Sequence, residues 1–192
     1  MKHKVLCWNC KTETEAFEYR CNICKKIQNI GEVNPYDLFS LKKNFFIDYD
    51  DLENKYFQLQ NIFHPDKFIN SENREKEISA FESSSINNAY NMLVNNVDRI
   101  KILLNLNGYN IDSNNNKSFT DHLLLEEIMD LQNRCMSIEN DNEKLKIKSE
   151  IKNKINKIES QINENFKKKK FSEIENLSVK LSYLEKINKN LN

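Results

Sequence analysis

Glycine and proline are almost missing from this chain, which has two of each. Many-stranded folds need turn residues often, whereas long helices exclude both, so the shortage points to a nearly all-helical protein. No apolar run approaches the ~18 residues that a membrane-spanning helix requires, and Met1 to Leu6 is too short for the apolar part of a signal peptide. An excess charge of either sign is also missing. With 29 Lys+Arg against 29 Asp+Glu, whole-molecule attraction to nucleic acid is not expected, and any charge-based recognition must be local. There is no Gly-rich phosphate loop. His3 and His122 have no serine or cysteine arranged beside them as a nucleophile, so no active site is expected.

Cysteine is present in a telling arrangement. Four of the five are grouped as Cys7-Trp8-Asn9-Cys10 and Cys21-Asn22-Ile23-Cys24, with Cys135 far away. Two Cys-x2-Cys turns each present two thiolates, and together they close a tetrahedral site, so one structural Zn2+ held by Cys7, Cys10, Cys21 and Cys24 is expected. Residues 1–30 otherwise carry only Trp8, Phe17 and Tyr19 as sizeable apolar material, too little to fold without such a staple. Two other uses of the thiols stay open on residues alone: a zinc ribbon that binds nucleic acid, and a thiol oxidoreductase or metal donor. Cys135 lies on an apolar stripe and is expected as a buried small hydrophobe.

Beyond residue 30 the chain reads as helices. Gly31 to Asn34 is a linker separating two independently packed units, and Pro35 starts a short helix over Tyr36 to Leu41. Asp48 caps a helix with Leu52, Tyr56, Leu59 and Phe63 on one face, stopped by Pro65. A second long helix starts near Asn70 or Ser71 and shows Ile86, Ala89, Tyr90 and Leu93 on one face. Val97 to Leu106 follows, capped by Gly108. After the polar stretch Ser113 to Lys117 come three stripes. Leu124, Ile128, Leu131, Cys135 and Ile138 form the first, and Ile151, Ile155, Ile158, Ile162 and Phe166 the second. Phe171, Ile174, Leu177, Leu181, Leu184 and Leu191 form the third, and the three should pack as an antiparallel bundle. The four lysines 167–170 read as the turn between the last two helices.

His64-Pro65-Asp66 falls between the two long helices, and in that setting it resembles the J-domain, whose loop of this sequence stimulates a DnaK-type chaperone. Leu59-Gln60 before it, Lys67-Phe68 after it, then Ile86-Asn87, Ala89-Tyr90 and Arg99 ahead of Leu103-Leu104 are similar to the HscB-type J-proteins of iron-sulfur cluster biogenesis. The paired-cysteine module is similar to that of eukaryotic members. The resemblance implies an all-α fold: zinc module 1–30, linker 31–34, J-domain 35–108, linker 109–118, and a C-terminal three-helix bundle 119–192. It implies a co-chaperone and not an enzyme, one that activates a DnaK-type ATPase and brings it the cluster scaffold protein, with no nucleic-acid or membrane partner.

The resemblance also assigns residues. His64, Pro65, Asp66, Lys55 and Lys67 would meet the chaperone, with Lys42 and Lys43 adding charge. Leu125, Met129 and Asp130, within Asp121 to Asn133, would meet the scaffold together with Tyr183. Three positions depart from the family pattern: Glu126 replaces an apolar residue, Asn133 an acidic one and Asn61 a basic one. A mitochondrial location is implied, although Cys7 leaves little room for an Arg-rich presequence; without one the location would be cytosolic.

Overall fold

The structure, a computed structural model, describes residues 4–15, 19–110 and 122–191. Phe17, the Ser113 to Lys117 stretch and Asp121 lie outside the described residues. Helices account for most of the described chain, and the contacts divide it into two compact units.

The first unit comprises Met1–Lys43 and Ile47–Asn96. It begins with a two-stranded antiparallel ribbon, β1 (Lys4–Leu6) and β2 (Glu13–Glu15). A short helix α1 (Pro35–Leu38) follows, started by Pro35 and capped by Asn34, whose side chain accepts the Asp37 N–H. It ends three residues earlier than the sequence suggests. Ser40 takes a left-handed φ of 48°, and the Leu41 N–H donates to Tyr36.

The hairpin helices are α2 (Tyr49–Phe63) and α3 (Asn73–Val94). Asp48 caps α2 as expected, its Oδ1 accepting the Asp51 N–H at 3.1 Å. Proline stops α2: His64 has an extended backbone (φ −59°, ψ 127°), as a residue before proline prefers, and Pro65–Phe68 form a 3-10 turn. Leu52, Leu59 and Phe63 are buried on α2, and Ile78, Ile86, Ala89 and Leu93 on α3.

A polar ladder fixes the register of this pair. Gln60 donates to the Ser83 carbonyl and to Asn87 Oδ1, the Ser83 hydroxyl donates to Gln60 Oε1, and the Tyr56 hydroxyl donates to the same Asn87 oxygen. At the loop end, the buried Ser79 hydroxyl donates to the Phe63 carbonyl at 2.8 Å. Ser79, Ser83 and Asn87 are spaced by four, so a slip of either helix would leave several of these groups unpaired at once.

The second unit comprises Asn44–Phe46 and Val97–Asn192. In α4 (Asn96–Leu106), Ile100, Leu103 and Leu104 are buried. Arg99 is only 2% exposed; its Nε donates to the Phe45 carbonyl at 2.8 Å and its guanidinium lies 5.0 Å from the Phe45 ring centroid. Gly108 ends α4 as expected, with φ 76°, and the Tyr109 N–H returns to the Leu104 carbonyl, the hydrogen bond of a Schellman cap.

The three remaining helices are α5 (His122–Met136), α6 (Asp141–Lys168) and α7 (Phe171–Asn190). Leu124, Ile128 and Leu131 on α5 are buried, as are five isoleucines on α6 from Ile147 to Ile162. Ile174, Leu181, Leu184 and Ile187 complete the core from α7. Glu127 ties the three together, accepting from Lys154 on α6 and Lys180 on α7 at 2.6 Å each. Lys169, with φ 55°, makes the turn inside the lysine run. Cys135 is half-buried, less than its stripe position suggests, and burial pushes its thiol pKa upward.

Candidate functional site

The two cysteine pairs sit on two turns built alike. In the first, the Lys11 N–H returns to the Cys7 carbonyl and the Cys7 N–H donates to Thr12; in the second, Lys25 returns to Cys21 and the Cys21 N–H donates to Lys26. Lys11 and Lys25, each four residues after the first cysteine of its pair, hold left-handed φ values of 61° and 62°. Each turns its ammonium back onto the carbonyl of the residue after that cysteine, Trp8 or Asn22, at 2.8 and 2.7 Å. This doubling was legible in sequence as a lysine after each pair, a signal the motif reading passed over.

The four sulfurs lie within 4.8 Å of one another. Cys7 and Cys24 Sγ are 3.6 Å apart, and Cys10 and Cys21 Sγ 3.5 Å. A tetrahedron of ~2.3 Å metal-sulfur bonds has edges of about 3.8 Å, so the group fits a four-thiolate metal ion with no open position. The Ile23 N–H points at Cys21 Sγ from 3.4 Å. Thr12, through its hydroxyl and then its backbone, lowers the Cys10 thiol pKa to about 6, and the Lys26 backbone lowers that of Cys24. Thiolates, the form that binds metal, are thereby favoured at Cys10 and Cys24, whereas the Cys21 thiol, despite backbone hydrogen bonds from Cys24 and Ile23, is pushed up to about 11 by burial and its neighbouring thiols.

His64, Pro65, Asp66 and Lys67 are all exposed. The tripeptide has its own order: the Asp66 N–H donates to His64 Nδ1 at 3.3 Å, and the Lys67 N–H to the His64 carbonyl at 3.0 Å. On either side of it, Phe63 and Phe68 are buried. Lys67 turns back so that its ammonium donates to both the carbonyl and the side-chain oxygen of Asn61. A positive charge therefore stands where the resemblance expects a basic side chain at position 61. Lys55 is otherwise engaged, paired with Asp51 at 2.7 Å and donating to the Ser40 carbonyl. Lys43 pairs with Asp37, and Lys42 is exposed.

On α5, Met129 is 60% exposed while Leu125, one turn earlier, is half-buried. Met136, a residue sequence reasoning missed, is 85% exposed two turns beyond Met129, with the exposed Gln132 and Asn133 between them. Asp130 is exposed, with Arg134 Nη1 3.8 Å away. Tyr183 is half-buried on α7, one turn after Lys180, which pairs with Glu127 of α5. Glu126 and Asn133 are exposed.

The linker does not separate two independently packed units. Lys26 of the cysteine module pairs with Glu72 and Glu75 at 2.5 and 2.6 Å, and the Ile30 N–H donates to Glu82 at 3.0 Å. Glu82 is 3% exposed, and its desolvation raises the carboxyl pKa. These polar contacts and the burial of Ile27 and Ile30 make the module part of the hairpin's compact unit.

Comparison with known proteins agrees with this architecture. Residues 120–192 match the family model described as the HSCB C-terminal oligomerisation domain. An iron-sulfur cluster co-chaperone HscB homolog from Arabidopsis thaliana is 30% identical over 181 residues, covering 94% of this chain and 70% of that protein. The mouse co-chaperone HscB is 29% identical over 185 residues, covering 94% and 79%. The crystal structure of human HscB superposes with a TM-score of 0.86 at 26% identity, covering 97% of this chain and 96% of the other. The yeast co-chaperone Jac1 shares the fold, with a TM-score of 0.65 at 21% identity over 83% of this chain and 95% of its own. A likeness that runs through the module, hairpin and bundle alike shows that the chain belongs to the HscB family of iron-sulfur cluster co-chaperones.

Proposed function

We propose that this protein stimulates the ATPase of a DnaK-type chaperone through His64, Pro65 and Asp66, and delivers the iron-sulfur cluster scaffold protein to that chaperone for cluster transfer. The observation that carries the reading is the exposed but ordered tripeptide between helices in fixed register, on one compact unit, with the exposed Met129 one turn after Leu125 on the other. The mechanism is linkage. Scaffold held by the bundle is kept at high effective concentration near the chaperone, while the loop favours the chaperone's hydrolysing state. Lys67, over Asn61, supplies local positive charge to the docking face. Lys55 contributes less to docking than the resemblance implies, because Asp51 compensates its charge. Domain limits of 35–108 for the J-domain and 119–192 for the scaffold-binding bundle follow from this reading, as does a mitochondrial location by likeness to the eukaryotic relatives.

Leu125, Met129, Asp130 and Tyr183 form the scaffold surface in this proposal. The double variant Leu125→Ala, Met129→Ala should weaken scaffold binding about tenfold or more, a loss of roughly 1.4 kcal/mol expected for central interface anchors. Its stimulation of the chaperone in the absence of scaffold should equal that of the parent. Loss of helicity in that variant, in place of a binding defect, would assign both side chains to the core and refute the interface.

The ion at Cys7, Cys10, Cys21 and Cys24 is proposed to be zinc, in a structural role, since four sulfur donors with no open position suit it. Metal analysis of protein purified under reducing conditions should find one zinc per chain. Four freely titratable thiols and no stoichiometric metal would refute the assignment.

A further inference from the structure

The cysteine module bears on the end of the hairpin that carries the tripeptide. The Tyr19 ring stands edge-on to Phe63, centroids 5.8 Å apart at 82°, and Phe63 is the residue immediately before His64. The Arg20 guanidinium lies 5.9 Å from the ring of Phe68, which closes the 3-10 turn after Asp66. Each buried aromatic that flanks the tripeptide therefore has its own partner from the module. Lys26 meets the start of α3 at Glu72 and Glu75, again at the loop end.

Those partners are fixed by the metal-binding turn. Tyr19 and Arg20 immediately precede Cys21, and Lys26 lies two residues past Cys24. The Gln28 N–H donates to the Tyr19 carbonyl at 3.0 Å, and Arg20 bridges to Ile27, so both residues take their register from the turn between them. A segment this small has little core of its own, and its order depends on closing the cysteine site.

We infer that Tyr19 and Arg20 are positioning residues for the His64-Pro65-Asp66 loop, and that metal binding by the four cysteines sets how firmly the loop is held. The inference rests on the proposed function only in taking that loop as the chaperone-stimulating element. The module is thereby a brace for the loop, through Phe63 on one side and Phe68 on the other, and loss of its metal is felt at the tripeptide.

The test is amide hydrogen exchange on the full chain, with zinc content measured for each sample. The amides to follow are Asp66, Lys67 and Ser71, which donate to His64 Nδ1, the His64 carbonyl and the Phe68 carbonyl. Chelation of the metal and Tyr19→Ala should each raise their exchange about tenfold, equivalent to roughly 1.4 kcal/mol. Tyr19→Phe, which keeps the ring, should restore protection, and amides of α5, α6 and α7 should not change. If Tyr19→Ala loses zinc, Arg20→Gln decides in its place, against Arg20→Lys, which keeps the cation. Parent-level protection of the loop in either the chelated protein or the variant would overturn the inference. A chaperone ATPase assay on the same samples separates the two claims. Metal-dependent exchange with no stimulation by the parent would sink the functional reading and leave the brace standing, whereas stimulation with metal-independent exchange would sink the brace alone.

Discussion

Ser79 shows how single residues set the loop. It is fully buried, and its hydroxyl satisfies the carbonyl of Phe63, the last residue of α2. Ser79→Ala leaves that carbonyl with one bond fewer in a dry site, and should cost about 1–2 kcal/mol in urea unfolding. An unchanged midpoint would show that the hydrogen bond does not matter. At this scale the sequence was informative where chemistry is local. Four cysteines at motif spacing and a proline after a histidine announce themselves. Tyr19, Arg20 and Lys26 did not, because their partners lie more than 40 residues away at Phe63, Phe68, Glu72 and Glu75. Asn61 read as a lost charge, and only the fold shows Lys67 supplying one beside it.

Among the helices, periodicity carried most of the information. The isoleucine stripe of α6 is buried as its spacing requires, and Ile151, fully buried, should cost about 2–5 kcal/mol when changed to Ala. Met129→Ala, on the exposed face of α5, should change stability by less than ~0.5 kcal/mol, and thermal melts of the two variants distinguish core from surface directly. Periodicity failed at short or capped segments. The three-residue strands β1 and β2 are too brief to show alternation. The start of α3 falls at Asn73, later than Asn70 or Ser71, because Ser71 closes onto Phe68 and Glu72 gives its carboxylate to Lys26, leaving the helix without a side-chain cap.

Electrostatics joins the bundle helices in a way no single stripe reveals. Hydrogen bonds from Lys154 and then Lys180 lower the Glu127 carboxyl pKa, and Arg134 lowers that of Glu150. A carboxylate with a depressed folded-state pKa contributes stability above its unfolded pKa, and that contribution is lost as pH falls through the folded value. The bundle should therefore melt at lower temperature as pH drops through and below the usual carboxylate range. Glu127→Gln should flatten that dependence, and an unaltered slope would show that the pairs across α5, α6 and α7 are energetically idle. Glu82 acts with opposite sign in the hairpin unit. Its raised pKa contributes stability at low pH that is lost as pH rises through the folded value.

For the molecule as a whole, the stripes read as a hairpin and a bundle, whereas the contacts place α4 and Asn44–Phe46 in the same compact unit as the bundle helices, which no stripe announces. The docking of the cysteine module was not legible either. A 30-residue segment with few apolar side chains carries no periodicity to say which surface it covers, and the linker Gly31 to Asn34 looks the same whether the module is free or docked. The functional claim centres on the loop at 64–66, which joins α2 to α3, carries its own hydrogen bonds and is exposed. His64→Gln tests that claim most directly, since it keeps a polar side chain at an exposed turn and should leave helicity and melting temperature nearly unchanged. The measurement is single-turnover ATP hydrolysis by a purified DnaK-type chaperone, with and without scaffold protein. The parent should accelerate hydrolysis and folded His64→Gln should lose most of that acceleration with scaffold binding intact; equal stimulation by the two proteins would contradict the account.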